Sequence, residues 1–350
     1  MPKDHQWLAY ASLGREHGSD IVHFDVLGSH VVIVNTAKTA HELFDKRSAI
    51  YADRPFFASL RILLGYDWII GFTEYGEWLR TMRKHFHTFF QPAAVTEYRP
   101  LQTKAVHQLL RHLIRKPKDF SWHLRHMTGT IIIRIAYGLK VQPINDPNVE
   151  IAEKGLHAVS TASSPGAAIF DLFPMMLHAP SWFPGAGYKK DAKMMRHYSD
   201  DMLEVAYRTA KEAIGNGTAS PSVTASMISQ LNEKLLPEGE TIVKQLTGNM
   251  YLGKTSPSLQ QFLLVFDRKA VTVCALEIFF LAMLLYPDSQ RKAQAEIDAI
   301  VGTDRLPSFE DQDSLPYVHA LMKETLRWHN VTPLGITSIY TGSITPMDII

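Results

Sequence analysis

Glutamate and arginine stand three residues apart twice in this sequence, as Glu77–Arg80 and as Glu324–Arg327. On a helix that spacing puts both side chains on one face, where an ion pair forms. Taken alone the pattern is an ordinary helical tie, and exposed ties of this kind contribute little. Arg327 also points roughly opposite the apolar stripe of its own helix, as a solvent-facing residue would. The only cysteine, Cys274, lies between Val273 and Ala275 in an apolar run and reads as a small core residue. A single cysteine excludes a disulfide framework and any Cys-rich zinc or iron–sulfur site. The sixteen histidines are scattered, with His85 and His87 the closest pair, and scattered imidazoles read as surface or core residues rather than a metal centre.

The elements that must position these residues follow from periodicity. Val22, Phe24 and Val26 alternate with His23 and Asp25, Gly28-Ser29 makes a turn, and Val31–Val34 is a second, more buried strand, so the sequence predicts a hairpin. From Thr36 onward the period becomes helical, through 76–92, 101–115 and 121–139. Residues 165–188, rich in Pro and Gly, read as a break carrying large apolar side chains over an apolar surface or a substrate mouth. A helix over 189–214 follows, then a polar loop at 215–222, then helices over 223–236 and 240–252. The run 270–286 is the longest apolar stretch; Glu277 interrupts it and it falls short of the ~20 residues of a membrane-spanning helix, so it is expected to be a buried helix. Asp288 or Ser289 is expected to cap the next helix, whose inner face is Ala293, Ile297 and Val301 before Gly302 stops it. Ser314 is expected to cap a last helix with Pro316 in its first turn and an apolar stripe of Val318, Leu321, Met322 and Thr325. The fold class expected is mainly α with a small β element.

Composition closes off other classes. The chain has 350 residues, 46% hydrophobic and 20% charged, enough for a large core and too apolar for a disordered chain. Thirty-six Lys and Arg against 35 Asp and Glu leave a net charge of +1, so no bulk basic field favours nucleic acid as a partner. No secretory or membrane signal opens the chain: Lys3, Asp4, His5 and Gln6 follow Met1 with no apolar run behind them.

A family resemblance arises from several of these segments together. The run from Tyr286 through Asp298, with Leu315-Pro316-Tyr317-Val318, Lys323–Trp328 and Thr332-Pro333-Leu334-Gly335, closely resembles the J and K helices of fungal cytochrome P450 enzymes. Tyr75-Gly76-Glu77-Trp78 with Arg80 and Arg83 is similar to their C helix, and 180–189 to their F–G region. His123-Leu124-Arg125 leading to Arg134-Ile135-Ala136-Tyr137-Gly138 resembles their E helix. The resemblance runs from about residue 1 to 253 and from 273 to 336, and implies a single, incomplete cytochrome P450 domain over 1–350.

The resemblance also implies a chemistry. Family members are haem-thiolate monooxygenases that insert one oxygen atom from O₂ into a small apolar substrate, with electrons from an NADPH-dependent reductase. By resemblance Arg83 would contact a haem propionate, with Arg80 a second candidate. The tryptophan expected four residues before Arg83 is Leu79 here, with Trp78 displaced by one. Glu324 and Arg327 would be a buried pair bracing the cysteine loop, and Thr272 a surviving member of the proton-delivery group.

Three departures qualify those implications. The family's Phe-x-x-Gly-x-Arg-x-Cys-x-Gly segment is absent, the tail 337–350 is atypical, and Cys274 does not stand in for the axial ligand. After Gly253 the segment 254–269 has no family counterpart and contains Pro257, a helix breaker; its Gly-Lys junction is consistent with translated intron. The chain also begins at the first strand, without the anchor and proline-rich hinge that tether family members to the cytosolic face of the endoplasmic reticulum membrane, so that tether is not expected and the location stays open. The literal chain is therefore expected to be inactive. The alternatives are a non-catalytic remnant that binds lipid-like ligands or sequesters reductase, and a mis-spliced or pseudogene product without a stable fold.

Overall fold

The computed structural model describes residues 6–26, 29–51, 53–143, 146–162, 165–234, 238–252 and 272–329. The expected hairpin is present: β1 (Ile21–Val26) and β2 (Ser29–Val34) pair antiparallel with Val22 opposite Ile33 and Phe24 opposite Val31. The turn glycine, Gly28, lies outside the described residues. In front of the hairpin stands a helix that the periodicity does not predict, α1 (Gln6–Glu16). Its apolar face is only a narrow strip, in which Tyr10 meets Phe24 at 5.9 Å between ring centroids. Gly14 lets Asn35 approach, since a Cβ there would lie 2.5 Å from Asn35 Nδ2, and that amide donates to the Tyr10 carbonyl at 3.2 Å.

The longer helices that follow are α2 (Glu77–Phe90), α3 (Arg99–Arg115), α4 (Phe120–Tyr137), α5 (Pro147–Thr161) and α6 (Pro165–Leu172). They continue with α7 (Tyr188–Gly215), α8 (Val223–Lys234), α9 (Gly239–Leu252), α10 (Thr272–Leu285), α11 (Pro287–Ile300) and α12 (Pro316–Trp328). Their ends have local causes. Asp146 accepts from the N–H groups of Asn148 and Val149 and so caps α5. Gly138 ends α4 at φ +70°, where a side chain would also strike the Ser220 carbonyl at 2.7 Å.

Three expectations are corrected. The break at 165–188 contains α6 and a short 3₁₀ helix, Pro174–His178, because Pro165 and Pro174 sit at helix starts, where their missing N–H costs nothing. Ser314 does not cap α12: it closes a 3₁₀ turn, Phe309–Ser314, and the carboxylate of Glu296 on α11 instead accepts from Tyr317 N and Val318 N, both at 2.9 Å. Likewise neither Asp288 nor Ser289 is the cap of α11; Tyr286 holds that position and Pro287 opens the helix, while Val301 and Gly302 (φ +81°) end it.

One large core joins residues of the 57–72 segment with α2, α4, α5 and α7–α9, burying Tyr66, Trp68, Leu246 and Tyr251 among others. A smaller cluster joins α3, α4 and α10 through Ala105, Leu109, Leu124, Met127 and Val273. Ile131 of α4 touches both. The apolar helix α10 is not the buried helix expected: Leu281, Leu284 and Leu285 are exposed. Apart from Glu277 it is apolar on all sides, and among the described residues α4, α11 and α12 pack on it while Leu281, Leu284 and Leu285 stay exposed. Met322 on α12 is exposed too, while Thr325 is buried and Val318 and Leu321 are half-buried. No single helix among the described residues is long and apolar enough to cross a membrane.

Candidate functional site

The site is built where α2 meets the segment that precedes it. Leu79 and Met82 anchor α2 in the core, and Trp78 Nε1 donates to Gln245 Oε1 on α9 at 3.1 Å. The displaced tryptophan thus ties α2 to α9, and Leu79 fills the core beneath. With that face fixed, Arg83 lies half-buried and Arg80 points outward, its guanidinium carbon 5.8 Å from the centroid of the Tyr75 ring. The two arginines therefore have different surroundings, although both were candidates by resemblance.

Arg83 has a neighbour that the sequence did not single out. Asp53 Oδ1 accepts from Arg54 N at 2.9 Å and from Tyr75 N at 2.7 Å, clamping the start of the 54–58 segment to the turn before α2. Arg61 Nη1 donates to Glu74 Oε1 at 2.7 Å and closes the same clamp one turn away. Arg54 is thereby buried beside Arg83. Burial, and then the Arg83 cation, pull the Arg54 guanidinium below its ordinary value; burial does the same to Arg83. Arg54, with the Asp53 carboxylate beside it, and half-buried Arg83 are in Coulombic reach of one another, and guanidinium forks suit a carboxylate. No sequence signal marks Arg54 as buried; only the Asp53 clamp reveals it.

The other predicted residues are not drawn into this corner. Glu324 and Arg327 do meet, with Arg327 Nε 2.7 Å from Glu324 Oε2 and Nη2 2.6 Å from Oε1. The pair is exposed, at 53% and 74% of the side chains, not the buried brace that the resemblance implied. Its exposure follows from the stripe of α12, which turns Thr325 inward and Arg327 out. Thr272 opens α10, and its side chain lies outside the described residues, as do 254–269 and the tail 337–350. Cys274 is buried near the start of α10, and burial, with Glu277 adding to it, pushes its thiol up to about 11. A thiol so placed stays protonated near neutrality and is neither nucleophile nor ready ligand.

A haem would fit one side of this arrangement. The Arg54–Arg83 corner suits the carboxylates of the group. Its thiolate ligand would not come from Cys274, which is buried in α10 and whose thiol burial pushes up.

Comparison with known proteins gives the wider context. The family model for cytochrome P450 matches residues 2–344. Cytochrome P450 monooxygenase COX2 of Coprinopsis cinerea is 38% identical over 339 residues, covering 96% of this chain and 62% of that protein. Cytochrome P450 monooxygenase 208 of Postia placenta is 37% identical over 336 residues, 96% of this chain and 62% of its own length. Tryptamine 4-monooxygenase of Psilocybe cyanescens is 31% identical over 356 residues, 99% of this chain and 67% of its own length. Among solved structures, a zebrafish cytochrome P450 with progesterone superposes with a TM-score of 0.71 at 18% identity, covering 98% of this chain and 77% of that one, a likeness of fold. The chain spans a little over three fifths of the length of the first two relatives.

Proposed function

Because the chain belongs to the cytochrome P450 family, whose members carry haem, we propose that it is part of a monooxygenase acting on a small apolar substrate with O₂ and electrons from an NADPH-dependent reductase. When bound, the haem supplies the oxygen chemistry, for which a cysteine thiolate donates electron density to the iron. The residues of this chain do the holding and the excluding of water. Arg83, with Arg54 clamped beside it by Asp53, takes the propionates. Arg80 stands at the rim, a peripheral contact at most. The Trp78–Gln245 tie holds α2 to α9, and the large core packs behind both helices. In this reading Glu324 and Arg327 are a positioning pair, and Thr272 belongs to proton delivery where the central helix resumes.

In this reading the residues described here form the part of such an enzyme that holds the carboxylates of the haem. We also read 1–350 as one partial domain, interrupted at 254–269 and atypical at 337–350. The observation that carries the proposal is the desolvated Arg54–Arg83 pair at α2 in a chain that the family model matches almost throughout.

Titration of the purified chain with hemin, read by absorption, tests it. Haem uptake is expected to weaken roughly tenfold in Arg83→Gln and in Arg54→Gln, the loss of about 1.4 kcal/mol of charge-assisted bonding. Reduction under carbon monoxide is expected to give no thiolate-type Soret band. Equal uptake by wild type and both variants would overturn the cradle, and a thiolate-type band that disappears in Cys274→Ser would overturn the reading of Cys274. Sequencing the transcript across codons 240 to 336 tests the interruption separately: loss of 254–269 from the message supports it as retained intron, and its presence overturns that.

A further inference from the structure

His112 of α3 meets His123 and His126, one turn apart on α4, away from the arginine corner. The ring centroid of His112 lies 5.4 Å from that of His123 and 6.1 Å from that of His126. Trp122 stacks on His126 at 5.1 Å and meets His123 edge-on at 5.4 Å. His123 is 5% exposed. Its Nε2 faces the Lys116 carbonyl oxygen at 2.9 Å, so the neutral ring carries its proton there and donates it. Its Nδ1 is then a buried acceptor for which the described residues supply no hydrogen-bond partner. His126 Nε2 faces the Gln142 carbonyl oxygen, also at 2.9 Å, and takes the same tautomer.

A positive charge on this cluster would stand against a buried ring and among other bases. The charged groups that the surrounding elements bring to this end are Arg115 and Lys116 at the close of α3, Lys118 and Asp119 from the turn, Arg125 on α4 and Glu277 on α10. Glu277 is engaged by Ser121 Oγ at 2.5 Å, and Asp119 is exposed, so cations outnumber carboxylates. Directly beneath lies the small cluster of Leu109, Leu124, Met127 and Val273, through which α10 is seated on α3 and α4.

We propose that this imidazole cluster is an acid-sensitive latch: neutral, it holds α3 against α4 and seats α10, and protonated it releases them. The sign follows from His112. Burial first, and then His123, His126 and Arg115, pull His112 below the ordinary imidazole value, so the unfolded segment binds protons more readily than the folded one. The latch's contribution is complete above the unfolded value of about 6.5 and is lost as pH falls through it toward the lower folded value.

Regional hydrogen exchange on the 350-residue chain, corrected for the intrinsic pH dependence of exchange, tests the latch. From about pH 7.5 to about pH 5.5, bracketing imidazole titration, protection over α3, α4 and α10 is expected to fall roughly tenfold relative to α7 and α9. His123→Gln keeps a donor for the Lys116 carbonyl and removes the buried imidazole against which His112 packs; it is expected to abolish most of that difference. A loss spread evenly over all helices, no loss at all, or the same regional loss in His123→Gln would each overturn the latch. If His123→Gln does not fold, His112→Gln at the wetter side of the cluster is expected to shrink the regional loss, and an unchanged loss there overturns the proposal equally.

Discussion

The two ends of the helical array are held by different means. From Tyr66 to Leu252 the helices share one large core threaded by buried polar bonds: Trp68 Nε1 to Ser199 Oγ, Ser199 Oγ to the Gly65 carbonyl, and Tyr66 OH to the Gly155 carbonyl. Glycines bring these helices closer than side chains would allow, since a Cβ on Gly248 would lie 2.6 Å from Leu203. From Thr272 to Trp328, by contrast, α10–α12 pack on a smaller cluster, and leucines of α10 and Met322 of α12 face outward. The ion pairs of that second region, Asp288–Arg291, Arg305–Asp311 and Glu324–Arg327, are all largely exposed on the arginine side. Stability therefore resides mainly in the first region, where apolar burial and satisfied polar groups coincide.

The sharpest way to break that comparison is to remove the polar bond at its centre. Asn249 on α9 accepts from Ile70 N and donates to the carbonyls of Trp68 and Gln245, at 2.9, 2.9 and 2.7 Å. Asn249→Leu leaves a buried N–H and a buried carbonyl unpaired, and is expected to destabilise the chain by about 3–5 kcal/mol. Asn249→Asp keeps the acceptor for Ile70 and loses the donors, placing a carboxylate in a nearly fully buried site. Urea denaturation of both variants checks this. If Asn249→Leu proves nearly neutral, the polar thread is not what distinguishes the first region.

A matched pair of leucines sharpens the contrast. Leu246 of α9 is fully buried, whereas Leu284 of α10 is 80% exposed. Truncation of Leu246 to alanine removes dispersion contacts and opens a cavity, so about 2–5 kcal/mol is expected. Truncation of Leu284 is expected to change stability by less than about 0.5 kcal/mol in either direction. Equal losses at the two positions, read from denaturation midpoints, would show that the outer face of α10 is covered in the folded chain.

How much of this was legible in the sequence follows the same division. The hairpin, most of the long helices and the inner face Ala293, Ile297 and Val301 could be read, because alternation and helical period are local signals that burial then honours. The family could be read as well, from motif runs rather than from single pairs. What stayed hidden depends on partners distant in sequence. The cap of α12 is Glu296, a residue of another helix, whereas the local pattern of a serine before a proline points to Ser314. Arg54 is buried by Asp53 and a turn more than twenty residues on, which no local pattern encodes. In the histidine cluster His123 and His126 are one turn apart on α4, but the approach of His112 is a product of α3 packing on α4, which no local spacing encodes. α1 escaped notice because Tyr10 and Gly14 are its only buried residues, too few to set a period.

The smallest effect concerns the seam where α6 lies on the 59–63 segment. Asp171, in the last turn of α6, accepts from Ser59 N at 2.8 Å and from Ser59 Oγ at 2.9 Å, and Ser59 is fully buried. Burial raises the Asp171 carboxyl above its ordinary value, more than the bonds from Ser59 lower it. The folded chain thus holds this proton more tightly than the unfolded one, so the seam's contribution is complete below the unfolded value of about 3.9 and declines as pH rises through the higher folded value. Asp171→Asn keeps an acceptor for Ser59 N and cannot ionise. It is expected to flatten the decline in thermal midpoint above that range while shifting the midpoint itself by only a degree or two, roughly the effect of a few tenths of a kcal/mol. A pH profile parallel to that of wild type would mean that the two bonds from Ser59 compensate the desolvation of the carboxylate, and that polar satisfaction in the first region extends to its ionised groups.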